Sequence, residues 1–131
     1  MVIHVVISGE YAICNCTPHE VRFQESDGGI VIVQPSGLTL AARPVEVKLD
    51  IPPYSGIEAV RTSFIQSDEG KRELGLISQS EQECNIVIIP VGSIISAQAW
   101  PGRVVSLVPV PGFERKPPAE KLYHVDKFNV F

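Results

Sequence analysis

Short apolar runs cut by turn residues recur along the chain, and their spacing predicts strands. Residues 1–8 are mostly apolar and predict a first strand, with Gly9-Glu10 as the turn. Tyr11 to Cys16 predicts a second, ended by Thr17-Pro18. Val21-Arg22-Phe23-Gln24 alternates, Ser26-Asp27-Gly28-Gly29 is a strong turn signal and Ile30 to Val33 is apolar, which together predict a hairpin. After a turn at Gln34-Pro35-Ser36-Gly37, Leu38–Ala42 and Val45–Leu49 are extended, with a break at Arg43-Pro44. Val45-Glu46-Val47-Lys48-Leu49 alternates cleanly, so Glu46 and Lys48 share one wet face.

Asp50 to Gly56, with Pro52-Pro53, predicts a loop. Ile57 to Gln66 predicts a strand, Ser67-Asp68-Glu69-Gly70 a turn and Glu73 to Ser78 a return strand, making a second hairpin. Gln79 to Cys84 is polar and acidic, as a surface loop is. Asn85 to Val91 is a continuous apolar run and predicts a strand buried on both faces. Ser93 to Trp100 is the one predicted helix, with cap chemistry at Gly92-Ser93 and a stop at Pro101-Gly102. Arg103 to Val110 predicts a strand, and Tyr123 to Phe131 a final strand or a docking arm. The expected fold is all-β and mainly antiparallel, a small barrel or sandwich with one short helix near 93–99. It forms a single domain, 1–131, with a proline-rich C-terminal arm at 109–131.

Composition agrees. Valine and isoleucine dominate the apolar set, and 11 prolines and 10 glycines punctuate the 131 residues. The net charge is -4 and no basic cluster exceeds Lys71-Arg72 or Arg115-Lys116, so nucleic acid is not an expected partner. No apolar run reaches the roughly 18 residues of a spanning helix, so no membrane partner is expected. The opening residues lack a basic region and a cleavage site, which predicts an intracellular protein. Asn15-Cys16-Thr17 matches a glycosylation acceptor, but without a secretion signal and with Pro18 next it carries no weight.

Candidate chemistry concentrates at Cys14-Asn15-Cys16-Thr17-Pro18-His19. Proline fixes the local backbone, so the side chains around it are held in place. Asn15, Thr17 and His19, with Arg43, Ser96 and Arg103, are the polar residues set in apolar context that could hold a small anionic, nucleotide-like ligand. The competing reading has Asn15, Thr17 and His19 satisfying a turn and the arginines lying over core edges. Cys14, Cys16 and His19, with Cys84 brought in by folding, are the only zinc donor set in view; Cys-x-Cys is tighter than structural zinc spacing, and the ordinary reading is three reduced thiols with no cofactor. No catalytic residue is predicted: His19 near Cys16 has no orienting partner, and the carboxylates are scattered.

Asn15-x-Thr17-Pro18-His19-x-Val21 resembles the Asn-Leu-Thr-Pro-His opening of a group of small uncharacterised proteins of bacteriophage and prokaryotic genomes. Pro35-Ser36-Gly37 followed by Ala42-Arg43, then Ile94-Ile95-Ser96-Ala97, then Pro101-Gly102-Arg103-Val104 with a later Pro-x-x-Gly are similar in order and spacing. The departure is at Cys14 and Cys16, where that group has apolar residues. The resemblance implies a viral or mobile-element setting, in the host cytoplasm if viral. Two functions are compatible with it. One is an accessory protein that binds a small anionic ligand or a host protein. The other is a virion or assembly protein forming homo-oligomers through the 109–131 arm, which ends in Phe128 and Phe131.

Overall fold

The computed structural model describes residues 2–50 and 56–131. Nine strands and two helices follow in the order β1 (Val5–Val6), β2 (Tyr11–Asn15), β3 (Val21–Gln24), β4 (Ile30–Val33), β5 (Ala42–Leu49), β6 (Ala59–Gln66), α1 (Asp68–Cys84), β7 (Val87–Val91), α2 (Ile94–Ala99), β8 (Ser106–Pro109) and β9 (Tyr123–Asn129). A 3-10 turn at Pro118–Glu120 precedes β9. The chain is mostly β, in three sheets ordered β1-β2-β7, β4-β3-β9-β8 and β5-β6. Among the described residues pairing is mainly antiparallel, as expected, in four of the six strand pairs, and the sheets are mixed because β2 runs parallel to β7 and β3 parallel to β9. Among the described residues the strands close into no barrel. No described helix is long and apolar enough to cross a membrane.

β2 divides the core. Its alternation sends Ala12 and Cys14, with Cys16 beyond, into one apolar cluster and Ile13 into the other. The first cluster packs the helices, through Leu74, Ile77, Ala97 and Trp100, onto β2 and β7. The second joins Val21, Phe23, Val33, Val91, Val105 and Val125 beneath the four-stranded sheet. β9 lies inside that sheet between β3 and β8. Phe128 meets Phe23 edge-on at 6.3 Å, and the Tyr11 hydroxyl donates to the Val125 carbonyl at 3.0 Å. Of the two expectations for this stretch, a final strand or a docking arm, the strand is the one observed, from Tyr123 to Asn129.

The largest departure from expectation is α1. Residues 67–84 form no turn, return strand and loop but a capped helix of 17 residues. Ser67 is its N-cap, accepting from the Gly70 N–H at 3.0 Å, and Asp68 and Glu69 occupy the positive first turn. Gly70, Glu73, Leu74, Ile77 and Ser80 fall on one buried face at helical spacing. β6 consequently pairs with β5, in unbroken register from Ala42↔Gln66 to Leu49↔Ala59 and straight through Arg43-Pro44. The predicted loop over Asp50 to Gly56 lies almost wholly outside the described residues. The short helix is present as α2, capped by Ser93.

Candidate functional site

The proline corner is built around Asn15, which is 1% exposed. Its amide donates to the His19 carbonyl at 2.8 Å and the Val33 carbonyl at 3.0 Å. Its side-chain oxygen accepts from the Thr17 N–H at 2.9 Å and the Thr17 hydroxyl at 2.6 Å. The Asn15 carbonyl accepts from the Ser36 N–H and hydroxyl at 2.8 and 2.7 Å. Every polar atom of this side chain is used internally, which leaves none for a ligand. The His19 imidazole is exposed; its backbone carbonyl, not its ring, ties it to the corner.

The other expected ligand residues lie elsewhere. Ser96 is buried in α2, and its hydroxyl donates to the Leu40 carbonyl at 2.7 Å. Arg103 pairs with Glu81 at 2.7 Å and donates to the Ile88 carbonyl at 3.3 Å, while Glu81 accepts from the Ile88 N–H at 2.8 Å. That network ties the end of α1 to β7. Arg43 is exposed on β5. Asn15, Thr17 and His19 thus come together, and Arg43, Ser96 and Arg103 stand at three other places.

Cys14 and Cys16 are both buried, with sulfurs 3.7 Å apart. Cys84 ends α1 and is half-buried. Among the described residues no group of three or more His, Cys, Asp or Glu is placed to hold a metal ion. The hydrogen bond with Cys16 brings the Cys14 thiol down to about 7, whereas the same bond and burial push Cys16 far up. The pair titrates as a unit that gives up one proton and keeps the second. Unfolded, both thiols titrate near 9.0, so the pair's contribution to stability rises from about pH 7 to 9 and falls above it. Urea midpoints of the wild type minus those of a Cys14→Ala/Cys16→Ala variant, measured from pH 6 to 10, are expected to peak near 9. A difference that does not vary with pH would contradict the shared proton.

Among the surfaces the fold leaves uncovered, alongside Ile30 and Ile32 on the β4 edge, is the β5–β6 ribbon. It is two-stranded, and β5 has no second neighbour among the described residues. Ala42 and Phe64, at its root, pack against the helical core cluster. The root is pinned by both helices. Leu40, fully buried at a positive φ of 49°, donates its N–H to Glu73 of α1 at 2.9 Å and gives its carbonyl to Ser96 of α2. The Ser67 hydroxyl donates to the Ala41 carbonyl. A non-glycine residue in that conformation persists only when its surroundings hold it there. Beyond the root, Val47, Val60 and Ile65 are 52%, 40% and 37% exposed. Pairing places Val45, Val47 and Leu49 on one face with Ile65, Ser63, Arg61 and Ala59, and Glu46 and Lys48 on the other with Thr62 and Val60. Sequence reasoning found the wet face at Glu46 and Lys48 and did not single out Val47, Val60, Arg61 or Ile65. The signal was the alternation itself, which says nothing of whether the second face has a cover.

No protein-family model, curated protein or solved structure matches the chain.

Proposed function

We propose that this chain is a non-enzymatic assembly protein that self-associates through the β5–β6 ribbon, carried on a sandwich-like β body and acting inside a cell as part of a virus or mobile element. One observation carries the reading: a two-stranded ribbon, pinned by both helices at Leu40, holds apolar side chains in solvent along with a β5 edge that no described residue pairs. Two strands alone are marginally stable, and such an edge is a template for a further strand. The ribbon replaces the C-terminal arm as the contact surface, because deleting β9 would remove a strand from within a sheet. The viral setting is supported by the resemblance at Asn15-x-Thr17-Pro18-His19. Small-anion binding is not part of the proposal, since Asn15 is saturated and Arg103 is paired.

Sedimentation velocity over a concentration series tests it. The wild type is expected to form a dimer that Val47→Glu converts to monomer with unchanged circular dichroism. A wild type that stays monomeric at every concentration, or a Val47→Glu variant that still dimerises, sinks the reading.

A further inference from the structure

We propose that the second copy binds along β5, antiparallel and about a two-fold axis through Val47, so that two ribbons form one four-stranded sheet ordered β6-β5-β5-β6. This deepens the assembly reading and rests on it.

The argument is one of register. A two-fold axis perpendicular to the sheet keeps like faces together, so Val47 can face only odd-numbered residues of the second copy and Glu46 only even-numbered ones. Centring on Glu46 sets Glu46 against Glu46 of the second copy, and centring on Lys48 does the same with lysine. Like charges directly opposite are unfavourable. Centring on Val45 puts Glu46 against Pro44 and Lys48 against Ala42, with no charge paired. Centring on Val47 sets Glu46 against Lys48 of the second copy and Lys48 against Glu46 of the second copy. On the opposite face it sets Val47 against Val47, and Val45 against Leu49 in both directions. Both ion pairs and the apolar stripe are satisfied together in this register alone among the four.

Two further features agree with it. Pro44, which has no N–H to offer a partner strand, lies outside the segment that this register pairs. The segment from Val45 to Leu49 is symmetric about Val47, so this register uses all of it in both copies. The free edge of β6 offers no counterpart. Its single charge is Arg61, so no register there places unlike charges opposite. The 52% exposure of Val47, the residue on the axis, is the apolar surface such a contact would cover.

Charge reversal and cross-linking test the register separately from self-association. In sedimentation equilibrium at low salt, Glu46→Lys and Lys48→Glu alone are each expected to raise the dimer dissociation constant about tenfold. Combined, they should restore it to within about threefold of wild type, because the pairs are re-formed with signs exchanged. In a Cys84→Ser background, Val47→Cys treated with oxidised glutathione is expected to give a covalent dimer. Two protein thiols are oxidised to one disulfide and one glutathione disulfide is reduced to two thiols. Directly opposite residues stand about 4.5–5.5 Å apart at Cα, within disulfide reach. Arg43→Cys, distant from its own copy in this register, should stay uncrosslinked. A wild-type dimer that neither reversal weakens, or that Val47→Cys fails to cross-link, overturns the register and leaves self-association standing. A wild-type monomer overturns both.

Discussion

Asn15→Ala is expected to lower the unfolding free energy by about 3 kcal/mol, read as a shift in the urea midpoint at constant slope. The substitution removes two donors and one doubly used acceptor from a side chain that is 1% exposed. The Val33 carbonyl and the Thr17 N–H lose side-chain partners where water has little access, and each such loss costs about 1–3 kcal/mol. Part of this is recovered, because Thr17 can turn its hydroxyl wholly to the His19 carbonyl, 3.1 Å away. Thr17→Ala is therefore expected to cost about 1 kcal/mol. His19→Ala should cost less than about 0.5 kcal/mol, because its ring is exposed and only its carbonyl is used. The order Asn15, Thr17, His19 is the signature of a corner that holds strands together. Should His19→Ala prove as damaging as Asn15→Ala, the imidazole would have a role that these contacts do not describe.

The corner was legible because its chemistry is local. Asn, Thr and Pro within four residues are turn formers for reasons that do not depend on the rest of the chain. The β3–β4 hairpin, the apolar β7 and the capped α2 were legible on the same ground. α1 was not, because three of its buried residues are Gly70, Glu73 and Ser80. Each is inside for a tertiary reason. Gly70 admits Trp100, Glu73 accepts from Leu40, and Ser80 accepts from the Val2 N–H at 2.9 Å. A search for apolar residues at helical spacing finds only Leu74 and Ile77 there and misses the stripe. With α1 misread, β6 was given the wrong partner, and the ribbon could not be seen as a unit. The parallel pairing of β2 with β7 joins segments more than seventy residues apart, which no local pattern encodes. The candidate ligand residues are polar side chains set in apolar stretches of sequence. For Asn15, Ser96 and Arg103 that polarity is spent on backbone groups and on Glu81.

The close approach of α1 to Trp100 sets the second large effect. A Cβ at position 70 would stand 2.3 Å from Cη2 and 2.7 Å from Cζ2 of the Trp100 ring. Trp100 is 5% exposed and caps α2 within the core cluster, so its ring has no free space to enter. Alanine in a helix is worth about 1 kcal/mol over glycine, and the overpacking costs more than that. Gly70→Ala is accordingly expected to destabilise by about 2 kcal/mol, against the sign that helix propensity alone would give. In a Trp100→Phe background the six-membered part of the indole is gone, and the same Gly70→Ala change should become neutral or mildly stabilising. Additive costs in the double variant would mean that the clash is relieved by backbone movement instead. The pair also reports on the ribbon. Ser67, which caps the same first turn, holds the Ala41 carbonyl, and Ser96 of α2 holds Leu40, so displacing either helix end loosens the root of β5. Gly70→Ala should weaken the dimer although it lies off the contact edge, and in the Trp100→Phe background the same change should leave association, like stability, unmoved.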